Sequence, residues 1–103
     1  MAEQEVKWAR SARADLLEAL EYLVEQSPAA AASFLQEVEE AAQSLTLFPE
    51  RGAKVLDLDI PDLRQLIVAR YRLIYRVEPG TVAVVRLVHG SCDLREIWRK
   101  RTR

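Results

Sequence analysis

The stretch from residue 63 to residue 89 alternates apolar and charged side chains and constrains the fold more than any other part of the chain. Apolar residues fall on every second position of its central part, and arginines occupy most of the positions between. The apolar set is Tyr71, Leu73, Tyr75 and Val77, and the basic set is Arg70, Arg72 and Arg76. This two-residue period predicts a β-strand with one apolar face and one basic face.

A tight turn is predicted at residues 78–81, where the sequence reads EPGT. Pro79 fixes φ at the second turn position, and Gly80 accepts the positive φ of a type II turn at the third. Residues 82–88 are therefore expected to pair back as a hairpin. The simplest register sets Tyr75 opposite Val84, Arg72 opposite Leu87 and Arg70 opposite His89. The basic face and one imidazole then form a charged surface, where we look for function.

Arg86 does not fit this simple register, because it would face the apolar side. Two explanations remain open. Either a β-bulge shifts the residue, or its stem lies across Leu73 with the guanidinium at an edge of the sheet.

The N-terminal half predicts one strand and two helices. Residues 5–8 alternate like a strand, Ser11 is placed to cap a helix that runs to about Gln26, and Ser27-Pro28 is a helix start. The second helix carries an apolar stripe from Ala31 to Phe48. Because the link between the two helices is so short, they are expected to run antiparallel. The apolar surface that they form together must be covered, and the apolar face of the predicted strand can cover it.

The remaining segments complete an α+β prediction. Leu63–Val68 is expected to be a strand, with a turn at residues 69–70. Residues 94–98 are either a short helix or an edge strand, and residues 99–103 a mobile basic tail. The predicted fold is an N-terminal strand and a two-helix antiparallel hairpin packed on a three- to four-stranded antiparallel sheet.

The charges of the 103 residues are unevenly divided, although the net charge is only −1. Residues 1–50 hold 3 basic and 10 acidic side chains, and residues 51–103 hold 12 basic and 6 acidic ones. A positive half suggests an anionic partner, either nucleic acid or an acidic protein segment. Two solvated faces of opposite sign explain the same pattern.

The length and the single cysteine narrow the class of protein. The chain is expected to be one domain spanning residues 1–103. It has no second cysteine for a disulfide, no apolar run long enough for a membrane span and no signal-peptide pattern at its start, so we expect a cytoplasmic protein. Neither a cofactor nor a metal is expected, and Cys92 is expected to be inert.

Five segments in order resemble the ParE/RelE toxins of bacterial toxin-antitoxin pairs, closest to the ParE branch. They are VKWARSARADLLEALEYL, SPAAAASFLQEV, LFPERG, LRQLIVARYRLIYRV, and VVRLVHG with Asp93. The resemblance implies a toxin that poisons DNA gyrase and forms a hetero-oligomer with a ParD-like antitoxin. The chain departs from many relatives by having Ser91-Cys92 where they carry two arginines, which bears on whether this copy is toxic.

The RelE branch implies a different activity, metal-independent cleavage of mRNA on the ribosome. That chemistry needs cations for the phosphate and a general acid or base. The candidates for these roles are Arg72, His89, Arg51 and Lys54. Docking on RNA is disfavoured for a chain with a net negative charge, because nucleic-acid affinity comes largely from phosphate neutralisation. Direct nucleic-acid binding is left open.

The function we predict is therefore inhibition by binding rather than catalysis. The residues expected to engage the target or the antitoxin are Arg70, Arg72, Arg76, Arg95, Trp98 and Arg99, with Trp98 as the expected hot spot. The alternatives are the RelE-type endonuclease and an inactive, toxin-like interaction module.

Overall fold

The computed structural model describes residues 3–101 and contains eight elements. They are β1 (Glu5–Trp8), α1 (Arg10–Gln26), α2 (Pro28–Ser44), β2 (Ala53–Lys54), β3 (Leu63–Val68), β4 (Tyr71–Glu78), β5 (Thr81–His89) and α3 (Leu94–Arg101). One five-stranded sheet has the order β1-β5-β4-β3-β2. Strands β2 to β5 are antiparallel, and β1 pairs with β5 in parallel. The α+β prediction, with its N-terminal strand and helical hairpin, is confirmed.

The two long helices form the predicted hairpin. Ser27 Oγ accepts a hydrogen bond from the Ala30 amide at 3.2 Å, and Pro28 occupies the first turn of α2. The cap predicted for α1 is wrong, because that helix begins at Arg10 and its N-cap, Ala9, makes no side-chain bond. The Ser11 hydroxyl instead donates to the Val85 carbonyl at 2.9 Å. It thereby ties the start of α1 to β5.

The helical hairpin covers one face of the sheet, which we call the inner face. Leu73 and Tyr75 are completely buried there, as predicted, and Val38 of α2 packs in the same cluster. Full burial of a side chain of this size is worth about 1.5–3 kcal/mol. The predicted stripe of α2 is shorter than expected, since the helix ends at Ser44 and Phe48 is exposed.

The opposite face, which we call the outer face, is not the free basic surface that the alternation predicted. A second apolar cluster lies on it, which we call the outer core; its buried members are Val55, Leu63, Ile74, Val85, Val88 and Leu94. Leu58 and Ile60 of the β2–β3 connection and Ile97 and Trp98 of α3 pack against these residues. The prediction failed because Ile74 interrupts the row of arginines on β4 and is itself fully buried.

A β-bulge in β5 resolves the position of Arg86. The turn sets Tyr75 opposite Val84 as predicted, and Gly80 has φ +75°. Beyond that pair the register shifts by one residue, because Val85 is left without a partner. As a result Arg72 lies opposite Val88, and His89 lies opposite Tyr71, so the pairs predicted for Arg72 and for Arg70 were wrong.

The C-terminal segment is helical. The structure resolves the choice left open for residues 94–98 in favour of a helix, and α3 continues through three residues of the predicted tail. Thr102 and Arg103 of that tail lie outside the described residues. Between residues 3 and 101, no helix has the length and apolar character needed to cross a membrane.

Candidate functional site

Arg72 is the central predicted site residue, and it is already bound to other side chains. Its two terminal guanidinium nitrogens donate to the Asp57 carboxylate at 2.9 and 2.8 Å, and its Nε donates to Gln65 Oε1 at 2.7 Å. Only 13% of the Arg72 side chain is exposed. The bidentate geometry is the strongest form of an arginine–carboxylate pair. Arg72 is therefore fixed on the outer face rather than free to reach a ligand.

The ion pair shifts both ionisation equilibria in the direction that keeps both partners charged. The hydrogen bond from Arg72 holds the pKa of the Asp57 carboxyl below its usual value, although partial burial opposes this. The same bond raises the pKa of Arg72. At neutral pH the pair carries no net charge and contributes little to the long-range field of the outer face.

Asp57 also joins Arg95 to this arrangement. The Arg95 Nε donates to the Asp57 backbone carbonyl at 3.1 Å. Arg95 sits in the first turn of α3, where Asp93 Oδ1 accepts from the amides of Arg95 and Glu96 at 3.1 and 3.4 Å. Asp57 lies in the β2–β3 connection. Through its side chain and its backbone carbonyl it holds Arg72 of β4 and Arg95 of α3 together.

Arg70 and Arg76 lie in different surroundings from Arg72. Arg70 lies exposed in the β3–β4 turn, where its carbonyl accepts from the Gly90 amide at 2.8 Å. Arg76 is half-buried on the outer face, between Leu63 and Ala83 of the adjacent strands. Neither guanidinium forms an ion pair with any side chain in residues 3–101.

Trp98 and Arg99 lie on α3 in different environments. Trp98 is half-buried against the outer core, so a large part of its ring supports the fold. Arg99 is exposed and pairs with Glu96 one turn earlier on the same helix. An exposed ion pair at this spacing contributes only about 0.3–0.5 kcal/mol.

The four residues proposed for RNA cleavage do not meet in one site. His89 lies opposite Tyr71 and contacts the edge of its ring, with centroids 5.2 Å apart, on the inner side of the sheet. Arg72 is on the outer face. Arg51 donates to Ser44 Oγ at 2.6 Å near the end of α2, and Lys54 is exposed on the edge strand β2.

The hydrogen bonds of His89 favour one tautomer of its ring. Its Nδ1 accepts from the Ser91 amide at 3.1 Å and lies 2.7 Å from the Ser91 hydroxyl. Because an amide can only donate, this contact favours the tautomer of the neutral ring in which Nδ1 accepts and Nε2 carries the proton. Ser91 therefore orients the imidazole.

Asp57 and Gln65 are site residues that the sequence pattern does not predict. Asp57 lies 15 positions from Arg72 in an irregular loop, and no periodicity connects the two. Asp93 is named above only as part of the resemblance, although an Asp directly before a segment with helical apolar spacing is a helix-start signal.

Within residues 3–101, the structure forms no cluster of three His, Cys, Asp or Glu side chains that could hold a metal ion.

Comparison with known proteins gives one family. A model described as the ParE toxin of the type II toxin-antitoxin system parDE matches residues 6–94, which ends where α3 begins. Toxin RelE2 of Caulobacter vibrioides is 36% identical over 88 residues, which cover 84% of this chain and 96% of that protein.

Solved structures show the same fold. A chain of the chromosomal ParDE toxin-antitoxin system from P. aeruginosa superposes with a TM-score of 0.70 at 24% identity, covering 84% of this chain and 96% of the other. A chain of the RelBE2 toxin-antitoxin complex from Mycobacterium tuberculosis gives 0.59 at 25% identity, covering 84% and 98%. The sequence segments, the fold and the family match agree: this chain belongs to the ParE toxin family of type II toxin-antitoxin systems.

Proposed function

We propose that this toxin acts by binding a macromolecular target, with DNA gyrase as the first candidate, and that a ParD-like antitoxin neutralises it. The toxin then acts in the cytoplasm, as a binding inhibitor rather than an enzyme.

The observation that carries the proposal is the distribution of the nuclease candidates. RNA cleavage without a metal requires a cation and a general acid or base around a single phosphate. Here Arg72 is bound to Asp57 on the outer face, while His89 lies beside Tyr71 on the inner side. That separation favours binding over catalysis by these residues.

The cations without an internal ion pair support an acidic protein as the target. Arg70 and Arg76 are both on or next to β4, and Arg95 projects from the first turn of α3. Charges of one sign at a protein surface steer association with a surface of the opposite sign. We propose that Arg70, Arg76 and Arg95 form the charged rim of the target interface, together with Arg99, whose ion pair with Glu96 is exposed. Trp98 lies at the apolar part of that interface.

The edge of β3 that faces away from β4 supports a separate docking site for the antitoxin. The Leu63 carbonyl accepts from the Val55 amide on that side, so the backbone groups of the odd-numbered residues of β3 point away from β4. Strand β2 pairs only with Arg64 and Gln65, and within residues 3–101 no strand pairs with Ile67 on that side. Ile67 is also 66% exposed. An extended antitoxin segment can add a strand at such an edge.

The test is to express the chain without any antitoxin and to measure growth, gyrase-dependent double-strand breaks and transcript length together. We expect DNA breaks with intact transcripts. The double variant Arg70→Glu/Arg76→Glu should remove the breaks, whereas Arg13→Glu, an exposed charge reversal on α1, should not.

Two results contradict the proposal. Shortened transcripts that disappear with Arg72→Ala or His89→Ala indicate an endonuclease. Normal growth of cells that contain the folded chain indicates an interaction module without toxicity. Circular dichroism of the purified variants establishes that each one is folded.

A further inference from the structure

A pocket lies at the C-terminal end of β5, between α1 and α3, next to the β3–β4 turn that carries Arg70. Its volume is about 460 Å³. The side chains that matter for its chemistry are Glu18 and Tyr22 of α1, Tyr71 of β4, Arg86 and His89 of β5, and Cys92.

The cation of this pocket is neutralised inside the protein. The Arg86 guanidinium donates to both oxygens of Asp15 at 2.7 and 3.0 Å, and the Leu87 amide donates to the same carboxylate at 2.9 Å. These two side chains are only 17% and 16% exposed. Because Arg86 and Asp15 cancel, Glu18 gives the pocket its net negative charge. The Glu18 side chain is exposed and has no ion-pair partner among residues 3–101.

Several side chains around Glu18 in this pocket are aromatic. Tyr22 is 62% exposed. Tyr71 is held between Phe34, at a centroid distance of 4.9 Å, and His89. Burial raises the pKa of the Tyr71 phenol, and the nearby Cys92, Tyr22 and Glu18 raise it further, so the ring stays neutral at physiological pH.

From this arrangement we propose that the pocket binds an arginine side chain of a protein partner. A guanidinium stacks on tyrosine faces through cation–π attraction and forms hydrogen bonds with a carboxylate, and the pocket offers both to one ligand. An anion is disfavoured, because Asp15 already neutralises the charge of Arg86 and accepts two of its hydrogen bonds, and because Glu18 repels negative charge. This site does not depend on the target proposed above, since it recognises charge of the opposite sign from that recognised by Arg70 and Arg76.

The experiment is an NMR titration of the ¹⁵N-labelled full chain with N-acetyl-arginine amide. The matched ligand control is N-acetyl-citrulline amide, which has the same shape and no charge. We expect saturable shifts confined to the residues around Glu18, Tyr22, His89 and Cys92, with the arginine ligand at least fivefold tighter than citrulline. Glu18→Gln and Tyr22→Leu should each weaken the arginine complex about threefold to fivefold, the size of an exposed cation–π or charge contribution.

Glu21→Gln is the matched protein control, because it removes the same charge from an exposed position of α1 that does not line the pocket. It should leave the affinity unchanged. Equal affinity for citrulline, equal weakening by Glu21→Gln, shifts centred on Asp57 or Glu96, or no saturation at tens of millimolar ligand would each overturn the proposal. All three substitutions are at exposed positions, and their spectra report directly whether the fold is kept.

Discussion

Asp57 holds the guanidinium of Arg72 in a bidentate ion pair, at 2.9 and 2.8 Å, across 15 positions of the chain. The arginine that the sequence places at the centre of a binding face is thus neutralised by an irregular loop. A partner that uses Arg72 must first displace Asp57. The free cations beside it, Arg70 and Arg76, carry no such cost.

The first prediction concerns the strength of this pair. Asp57→Asn should lower the free energy of unfolding by about 1 kcal/mol, because two charge-assisted hydrogen bonds are weakened while the half-exposed carboxylate is partly screened by solvent. Urea unfolding followed by circular dichroism measures the change. Asp59→Asn, at an exposed position of the same loop, should leave the midpoint unchanged. Equal urea midpoints for the two variants would show that the ion pair does not stabilise the fold.

The second prediction is the pH dependence of the same contribution. The pKa of Asp57 is lowered in the folded protein from a reference of 3.8, so the unfolded chain binds this proton more readily. The stabilisation is therefore fully present above the unfolded pKa and is lost as the pH falls through the folded pKa. The difference in unfolding free energy between wild type and Asp57→Asn should be constant near neutrality and shrink below about pH 4. A difference that grows on acidification contradicts the stated sign.

The third prediction concerns the close approach of Gly52 to β3 and β4. The Gly52 amide donates to the buried Tyr75 hydroxyl at 2.9 Å, and a Cβ there would lie 2.5 Å from that oxygen and 2.7 Å from the Gln65 carbonyl. Gly52→Ala should therefore cost about 3 kcal/mol through overpacking. Gly80→Ala has open space but a φ of +75°, and should cost only about 1 kcal/mol. Similar thermal midpoints for the two variants would contradict the packing argument.

The fourth prediction tests the bulge. Asp15 accepts from Arg86 and from the Leu87 amide beside the unpaired Val85. Asp15→Asn should destabilise the fold by about 2 kcal/mol, because a part-buried guanidinium loses its counter-charge. Hydrogen exchange should show faster opening of the β5 amides near Leu87. The control is Glu21→Gln on the same helix, and a comparable loss in that variant would count against a specific role for Asp15.

The fifth prediction concerns α3. A chain that ends at Leu94 should be less stable by about 2 kcal/mol, because the half-buried Ile97 and Trp98 no longer cover the outer core. Arg95→Ala, which removes a bond to the Asp57 carbonyl but no apolar cover, should cost less than half as much. Chemical denaturation compares the two. If the truncated chain keeps full stability, α3 serves binding alone and the packing role of Trp98 is wrong.

Local sequence determined the two long helices, four of the five strands (β1, β3, β4 and β5) and their order. Alternation defined β3, β4 and β5, Pro79 and Gly80 defined the turn, and Ser27 with Pro28 separated the two helices. These signals act within a few residues, because backbone dihedral preferences and the period of side chains along a strand or helix are local properties. The pairing of Tyr75 with Val84 followed from the turn alone.

Only the tertiary structure decided what each face of the sheet does. The unpaired Val85 shifts the register so that His89 lies opposite Tyr71. The sequence period does not predict this bulge, because the backbone groups around it bond to Ser11 and Asp15, more than 70 positions earlier. Likewise Asp57 reaches Arg72 through space and not through sequence order. Which arginines remain free for a partner depends on such long-range pairing, which the linear pattern of charges does not contain.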